Sequence, residues 1–220
     1  MLKYHLTTMI ETKEQKALRF KNLCISILAQ SGNCKDSQHD FNDTHTIGQM
    51  CSAWWKYWHG LITEVPQQVV KAFEDFYPDF KDEINAAGFY YNEDSQNGIV
   101  LVGNSDKEIS LSRSRRITVL GKAHVVLRQS ASALVLNPDC KVELHDSSRA
   151  TVKQGYAVAL DYSQLTTFDN AECFDQSVVH ITNGTLKDNG HRAIYAYGSS
   201  TINSFTTRLI TLCDNSKLNV

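Results

Sequence analysis

Apolar residues return at a fixed interval along the second half of this chain. Counting by eight from Leu111 reaches Val119 and Leu127, and after one extra residue Leu136, Leu144, Val152, Leu160 and Phe168. A two-residue slip then leads to Val178, followed by Leu186, Ile194, Ile202, Ile210 and Leu218. Around most of these positions the order is apolar, polar, apolar, as in Val142-Glu143-Leu144 and Ile210-Thr211-Leu212. Alternation at period two puts the flanking residues on one face of a strand and the middle one on the other. Strand-breaking residues follow at a nearly constant offset, among them Gly121, Asn137-Pro138, Asp146-Ser147-Ser148, Asp161, Asn183-Gly184, Gly198-Ser199-Ser200 and Asp214-Asn215-Ser216. Gly and Asn accept positive φ, and Asp and Ser close local turns with their own side chains.

A short strand plus a corner cannot bury an apolar face alone, but units stacked in parallel can, and that is the logic of a solenoid. A helix would rotate an eight-residue repeat off its apolar face, and an antiparallel sandwich rarely spaces its strands so evenly. The pattern therefore predicts a mainly β protein with an α-helical N-terminal cap: a single-stranded parallel β-solenoid, or β-helix, of eight-residue units. Right-handed winding is expected because right-twisted parallel strands favour it. Two or three units per coil both fit. With strands about 4.8 Å apart, the stack would be roughly 20–35 Å long.

The first half has a different rhythm. Residues 11–30 suit a helix with Leu18, Cys24, Ile25 and Leu28 on one side, and Gly32 able to close it. The polar, turn-rich run 31–45 predicts a loop. Cys51, Trp54 or Trp55, Trp58 and Leu61 share a helical stripe. Three tryptophans within five residues cannot all point inward, so at least one is expected to be partly exposed or to cover the solenoid's end. Thr63 suits an N-cap before Pro66. Val69, Phe73 and Phe76 form the next stripe, which Pro78 would stop, leaving a short helix with Phe80 and Ile84. The expected division is a helical region at 1–88, with its loop at 31–45, and a solenoid at 89–220. The helical part would cover strand edges at the start of the stack. The repeat runs on to Leu218-Asn219-Val220, so an open last coil would invite pairing with a second copy.

Composition narrows the classes. Across 220 residues the net charge is −2, which is no electrostatic footprint for nucleic acid. Six cysteines show neither CxxC nor disulfide-framework spacing and read as small buried hydrophobes in a reducing compartment. Leu23 to Ala29 is too short to span a membrane, and the first residues lack a signal-like apolar run. A soluble, cytoplasmic protein without membrane contact is expected. Cys34, His39, His45 and Cys51 could offer metal ligands, but zinc favours two close pairs and these are evenly spread. No metal or other cofactor is implied.

The stretch Cys51, Trp54-Trp55 and Trp58, the helix start Thr63-Glu64-Val65-Pro66, the Phe-rich helix and the run from Gly98 to Asn104 that opens the repeat resemble uncharacterised proteins of gut bacteria and their mobile elements. The likeness covers most of residues 45–220. It implies a helical N-terminal region followed by a β-solenoid of eight-residue units, and no activity.

The search for chemistry yields little. GxSxG, P-loop and Rossmann motifs are absent. Asp161, Asp169, Asp175 and Asp188 could pair across coils as glycosidase carboxylates do, with His180, His191 and Arg192 near them in sequence. Each falls at or near a corner, where Asp is expected as a turn former. The sharpest cluster is Asp188-Asn189-Gly190-His191-Arg192. Arg113-Ser114-Arg115-Arg116 reads as a solvated corner. Tyr195 and Tyr197 straddle Ala196 and should both point outward, the best local hint of a binding surface. Trp55 is a candidate stacking platform. The candidate binding residues are thus Trp55, Tyr195, Tyr197, Asp188, His191 and Arg192, with no catalytic set. The leading expectation is a non-enzymatic module presenting a rigid face to a protein partner. A structural protein self-assembling through its C-terminal coil and a carbohydrate-binding or carbohydrate-cleaving β-helix are the alternatives.

Overall fold

The computed structural model describes residues 11–31, 35–92, 99–106, 108–205, 207 and 209–220. Four helices come first: α1 (Lys13–Gln30), α2 (Lys35–Asn42), α3 (Ile47–Glu64) and α4 (Pro66–Ala86). The starts of α1 and α3 are capping boxes. In each, a threonine hydroxyl (Thr12, Thr46) accepts from the N3 backbone amide while the N3 glutamine (Gln15, Gln49) bonds back to the cap. No helix among the described residues is long and apolar enough to cross a membrane.

Several local expectations need correction. The segment 31–45 is not a loop throughout, since it carries α2, whose Phe41 is fully buried in the helical core. One aromatic side chain in a polar run anchors this turn-rich helix against its neighbours. Gly32 and Cys34 lie outside the described residues, and the α1 cap is Ser31. Leu18 is 59% exposed, and Phe20, Cys24, Ile27 and Leu28 form the buried stripe instead. Thr63 lies in the last turn of α3 and donates its hydroxyl to the His59 carbonyl at 2.7 Å; Val65 caps α4, with Pro66 at its start. The break expected at Pro78 falls two residues later and kinks α4 without ending it. The helix bends at Phe80 (φ −131°, ψ 26°) and resumes, because Phe73, Phe76, Tyr77, Phe80 and Ile84 all stay buried on one face. Of the tryptophans, Trp54 is fully buried and Trp58 nearly so, while Trp55 lies half-buried over the first strand.

Among the described residues fifteen strands follow: β1 (Phe89–Tyr91), β2 (Ile99–Val102), β3 (Glu108–Leu111), β4 (Arg116–Val119), β5 (His124–Leu127), β6 (Ser132–Leu144), β7 (Arg149–Ala159), β8 (Gln164–Thr167), β9 (Ala171–Cys173), β10 (Val178–Thr182), β11 (Thr185–Asp188), β12 (Ala193–Tyr197), β13 (Thr201–Asn203), β14 (Ile210–Leu212) and β15 (Lys217–Asn219). Every pairing is parallel, as expected, and the strands wind into a solenoid of about seven turns. Each coil has two units. The first row is β2, β4, the front of β6 and of β7, β8, β10, β12 and β14; the second is β3, β5, the backs of β6 and β7, β9, β11, β13 and β15. Along the first row Arg116 pairs with Ser132, then Arg149, Gln164, Val178 and Ala193, so the coil length runs 16, 17, 15, 14 and 15 residues.

Between the rows lies a mainly apolar interior. Ile117, Val119, Val135, Val152, Leu165, Val179, Ile181 and Ile194 from the first row face Leu111, Val125, Leu127, Val142, Leu144, Leu186 and Ile202 from the second. Fully burying one such side chain is worth about 1.5–3 kcal/mol, so this inner ladder holds the stack together. The changing coil length shifts the register by one residue in places. Val135, Ala159, Thr167 and Val179 point inward where Leu136, Leu160, Phe168 and Val178 were expected to. A bulge around Leu136 accounts for the first of these shifts. There the outward Leu136 packs against the helical core. At Phe168 the larger apolar residue stands outward, 40% exposed, beside a buried threonine.

The helical region is seated on the start of the first row. Phe89 of β1 belongs to the helical core, its ring centroid 5.3 Å from Phe73 and 4.3 Å from Trp55. Leu120 is buried there as well, Leu134 and Leu136 pack against it, and Gln67 Nε2 donates to the Leu120 carbonyl at 3.4 Å. The acidic run on α4 is tied down by cations: Lys13 to Glu83 at 2.7 Å, Lys16 to Asp79 at 2.6 Å and Lys71 to Asp75 at 2.7 Å.

Candidate functional site

Two places on the solenoid depart from what stacking alone requires. One is the outer face of the first row beyond the helices. Its register sets Thr118, Leu134, Thr151, Thr166, His180, Tyr195 and Thr211 in one outward ladder. Tyr195 and Tyr197 are half-buried and point away from the interior, since Ile194 and Ala196 between and beside them are fully buried. The His180 ring lies 4.6 Å from Tyr195 and 6.5 Å from Tyr197, nearly parallel to both at 13° and 7°. Lys153 Nζ sits 3.9 Å over the Phe168 ring, a cation–π contact. Arg116 and Arg149 are exposed on the neighbouring ladder, and no ion pair engages them among the described residues. None of the first-row strands contains Asp or Glu. A shallow depression between coils is lined by Arg116, Ser132, Arg149, Thr151, Gln164 and Thr166.

The second place is a corner. Where the second row turns into the first, Arg113, Gln129, Asp146, Asp161 and Asp175 stack in successive coils, each at a positive φ of 53–61°. From Gln129 on, each side chain accepts from the backbone of the residue one coil before it: Gln129 Oε1 from Arg113 N at 3.1 Å, Asp146 Oδ2 from Gln129 N at 2.9 Å, Asp161 Oδ2 from Asp146 N at 2.9 Å, Asp175 Oδ2 from Asp161 N at 3.4 Å. Asp161 and Asp175 are thus turn formers. Two residues on, Ser148, Ser163 and Ser177 fill the inside of this corner, fully buried.

At the next coil the ladder stops. Its position is Gly190, at φ 154°, where a Cβ would come within 2.9 Å of the Asp175 amide nitrogen. Only glycine allows the chain to stack that closely. Arg192 takes the serine position and faces solvent, while the His191 side chain turns inward and is 3% exposed. Asp188, expected at or near a corner, is the last residue of β11 just before it, and its side chain occupies an inward position between Cys173 and Ser204. Its Oδ1 accepts from Gly190 N at 3.0 Å and from Cys173 Sγ at 3.4 Å. Its Oδ2 bonds to His191 Nδ1 at 2.9 Å and accepts from the Ser204 hydroxyl. Burial pushes the Asp188 carboxyl up, but the bonds from Ser204, His191 and Gly190 outweigh it and hold the group below its ordinary value. Burial and the nearby Asp188 charge push the Cys173 thiol well up, so it is no nucleophile at neutral pH.

The broken corner leaves a concavity of about 500 Å³. Asp175, Gln176, Asn189 and Arg192 line it, Asp188 and His191 form its floor, and Phe205 and Leu209 stand on its rim, 92% and 61% exposed.

Sequence reasoning placed Asp188, His191 and Arg192 together, and they share this corner. Tyr195 and Tyr197 share the open face. Trp55 belongs to neither: its indole N–H donates to the Ala87 carbonyl at 2.8 Å and its ring packs on Trp58 and Phe89, which leaves its face occupied. His180, named only as a neighbour of the carboxylates, belongs to the face with the tyrosines, and Cys173, Ser204 and Phe205 at the corner were missed. A two-unit coil stacks His180 beside Tyr195, fifteen residues on, and Asp188 beside Ser204, sixteen residues on, but the number of units per coil was open. Cys24, Cys51, Cys140 and Cys173 are buried and free, and Cys213 is partly exposed. No family model, curated protein sequence or solved structure matches this chain.

Proposed function

We propose that the protein is a non-enzymatic interaction module that presents the open outer face of its first row to an acidic surface on a partner protein. One observation carries this reading: that face bears Arg116, Arg149 and Lys153 with the His180–Tyr195–Tyr197 stack, and its strands hold no carboxylate. Unneutralised cations beside half-buried aromatic rings suit an interface in which rings supply contact area and cations select the partner. The parallel stack keeps these groups in fixed register, so little ordering is needed on binding.

Affinity capture from the cell that makes the protein tests it, with three baits: the native chain, the double substitution Arg149→Glu with Tyr195→Ala on the first face, and Lys187→Glu on the second. The expected result is an acidic protein held by the native and second-face baits, released by salt and lost with the first-face bait. A partner held equally by all three, or lost only with Lys187→Glu, would overturn the assignment.

A further inference from the structure

We propose that the broken corner at Gly190 is a separate binding site for a neutral saccharide. Four exposed planar polar side chains converge on it: the carboxylate of Asp175, the amides of Gln176 and Asn189, and the guanidinium of Arg192. Asp175 Oδ2 is bonded to Asp161 N, and Asn189 Nδ2 to Glu172. The set still offers Asp175 Oδ1 and the Asn189 and Gln176 carbonyls as acceptors and the Gln176 amide and Arg192 guanidinium as donors, which matches vicinal hydroxyls that both give and take a proton. The opposite charges of Asp175 and Arg192 leave the rim close to neutral and give no preference to an ionic ligand. The Asp188 carboxylate is already committed to four donors, so it is not on offer to a cation.

Phe205 supplies the complementary surface. A phenyl ring 92% exposed at the edge of a polar hollow has no role in the solenoid core, and it can cover the C–H face of a sugar ring. At about 500 Å³ the hollow lies within the range usual for small-molecule sites, about 300–1,000 Å³. Its walls are fixed in advance. The Asp188 bonds to Gly190 N and His191 Nδ1 hold residues 189–192 in the altered turn, and the close stacking of Gly190 on Asp175 sets the depth. Asp188 is therefore a positioning residue, and Arg192 and Phe205 are contacts.

The full chain is screened on an array of neutral and acidic oligosaccharides, and binding to the best free oligosaccharide is measured by calorimetry. A neutral glycan should bind, and Arg192→Ala and Phe205→Ala should each weaken it about tenfold, the loss of roughly 1.4 kcal/mol of contact. Both side chains are exposed, so their thermal unfolding midpoints should match the native chain. Arg149→Glu, on the separate protein-binding face, should leave glycan affinity unchanged. Amide shifts on titration should centre on residues 175–176 and 189–192. The proposal is overturned if no neutral glycan binds at millimolar concentration, if only acidic glycans bind, or if affinity survives Arg192→Ala and Phe205→Ala.

Discussion

On the outer face of the second row, charged groups find partners on neighbouring coils; on that of the first row, most do not. Glu172 accepts from Tyr156 at 2.7 Å, from Lys187 at 3.4 Å and from Asn189 at 3.3 Å. Glu143 bonds Lys141 at 2.7 Å and His124 at 3.2 Å. The hydrogen bond from Tyr156 leads in holding Glu172 below its usual range, and that from Lys141 leads for Glu143. Across the solenoid, Arg116 and Arg149 have no such carboxylate among the described residues, and the His180 ring stacks on Tyr195 and Tyr197. Both faces rest on the same inner ladder and the same parallel pairing. The backbone therefore dictates neither; a solenoid leaves its outward positions free to be used for self-satisfaction or for recognition.

If that separation of core from faces holds, the largest losses come from the interior and ignore which row is touched. Ile194→Ala in the first row and Leu186→Ala in the second should each cost about 2–5 kcal/mol in urea unfolding. A loss confined to one row would mean the rows do not share a core. Next comes the one interior layer built on a charge. Asp188→Asn leaves a donor group facing His191 and Ser204 and should cost about 1–3 kcal/mol. Because the folded-state carboxyl lies below its unfolded value, its contribution is present above that value and lost as pH falls through the folded one. The native chain should therefore lose stability below about pH 4, and Asp188→Asn should flatten that dependence. An unchanged acid limb would show the carboxylate is not held as described. The smallest effects sit on the outer faces and separate them. Tyr156→Phe on the second face should cost about 0.5–1.5 kcal/mol by removing one of the three bonds to Glu172. Arg149→Glu on the first should stay within about 0.5 kcal/mol of the native chain, since it breaks no bond among the described residues. Equal losses at both positions would erase the contrast between the faces.

Much of the fold was legible because hydrophobic spacing has few solutions. Leu111, Leu127, Leu144, Leu186, Ile194 and Ile202 point inward where the eight-residue period puts them. The period faltered where the interior uses small residues. At Ala159 and Thr167 a bulkier neighbour, Leu160 or Phe168, drew the count outward, because size stands in for burial only while coil length is constant. The α2 helix was illegible for a related reason: Phe41 is its one buried apolar residue among those described, and a single apolar residue has no period. Of the sites, the outward aim of Tyr195 and Tyr197 followed from alternation. The burial of Asp188 did not, because Asp beside Asn-Gly is the ordinary signature of a turn.

By itself, the sequence determined the class of the molecule: strands from period two, a stacked coil from period eight, helices ahead of them from period 3.6. These are local and repetitive signals, and each residue in them votes for the same answer. Tertiary structure alone decided what lies sixteen residues away in the chain and one strand away in space. The stacking of His180 on Tyr195, the saturation of Asp188 by Ser204, the halt of the corner ladder at Gly190 and the division of labour between two faces all depend on how many units close a coil. That number is set by packing across the interior, which no single unit encodes.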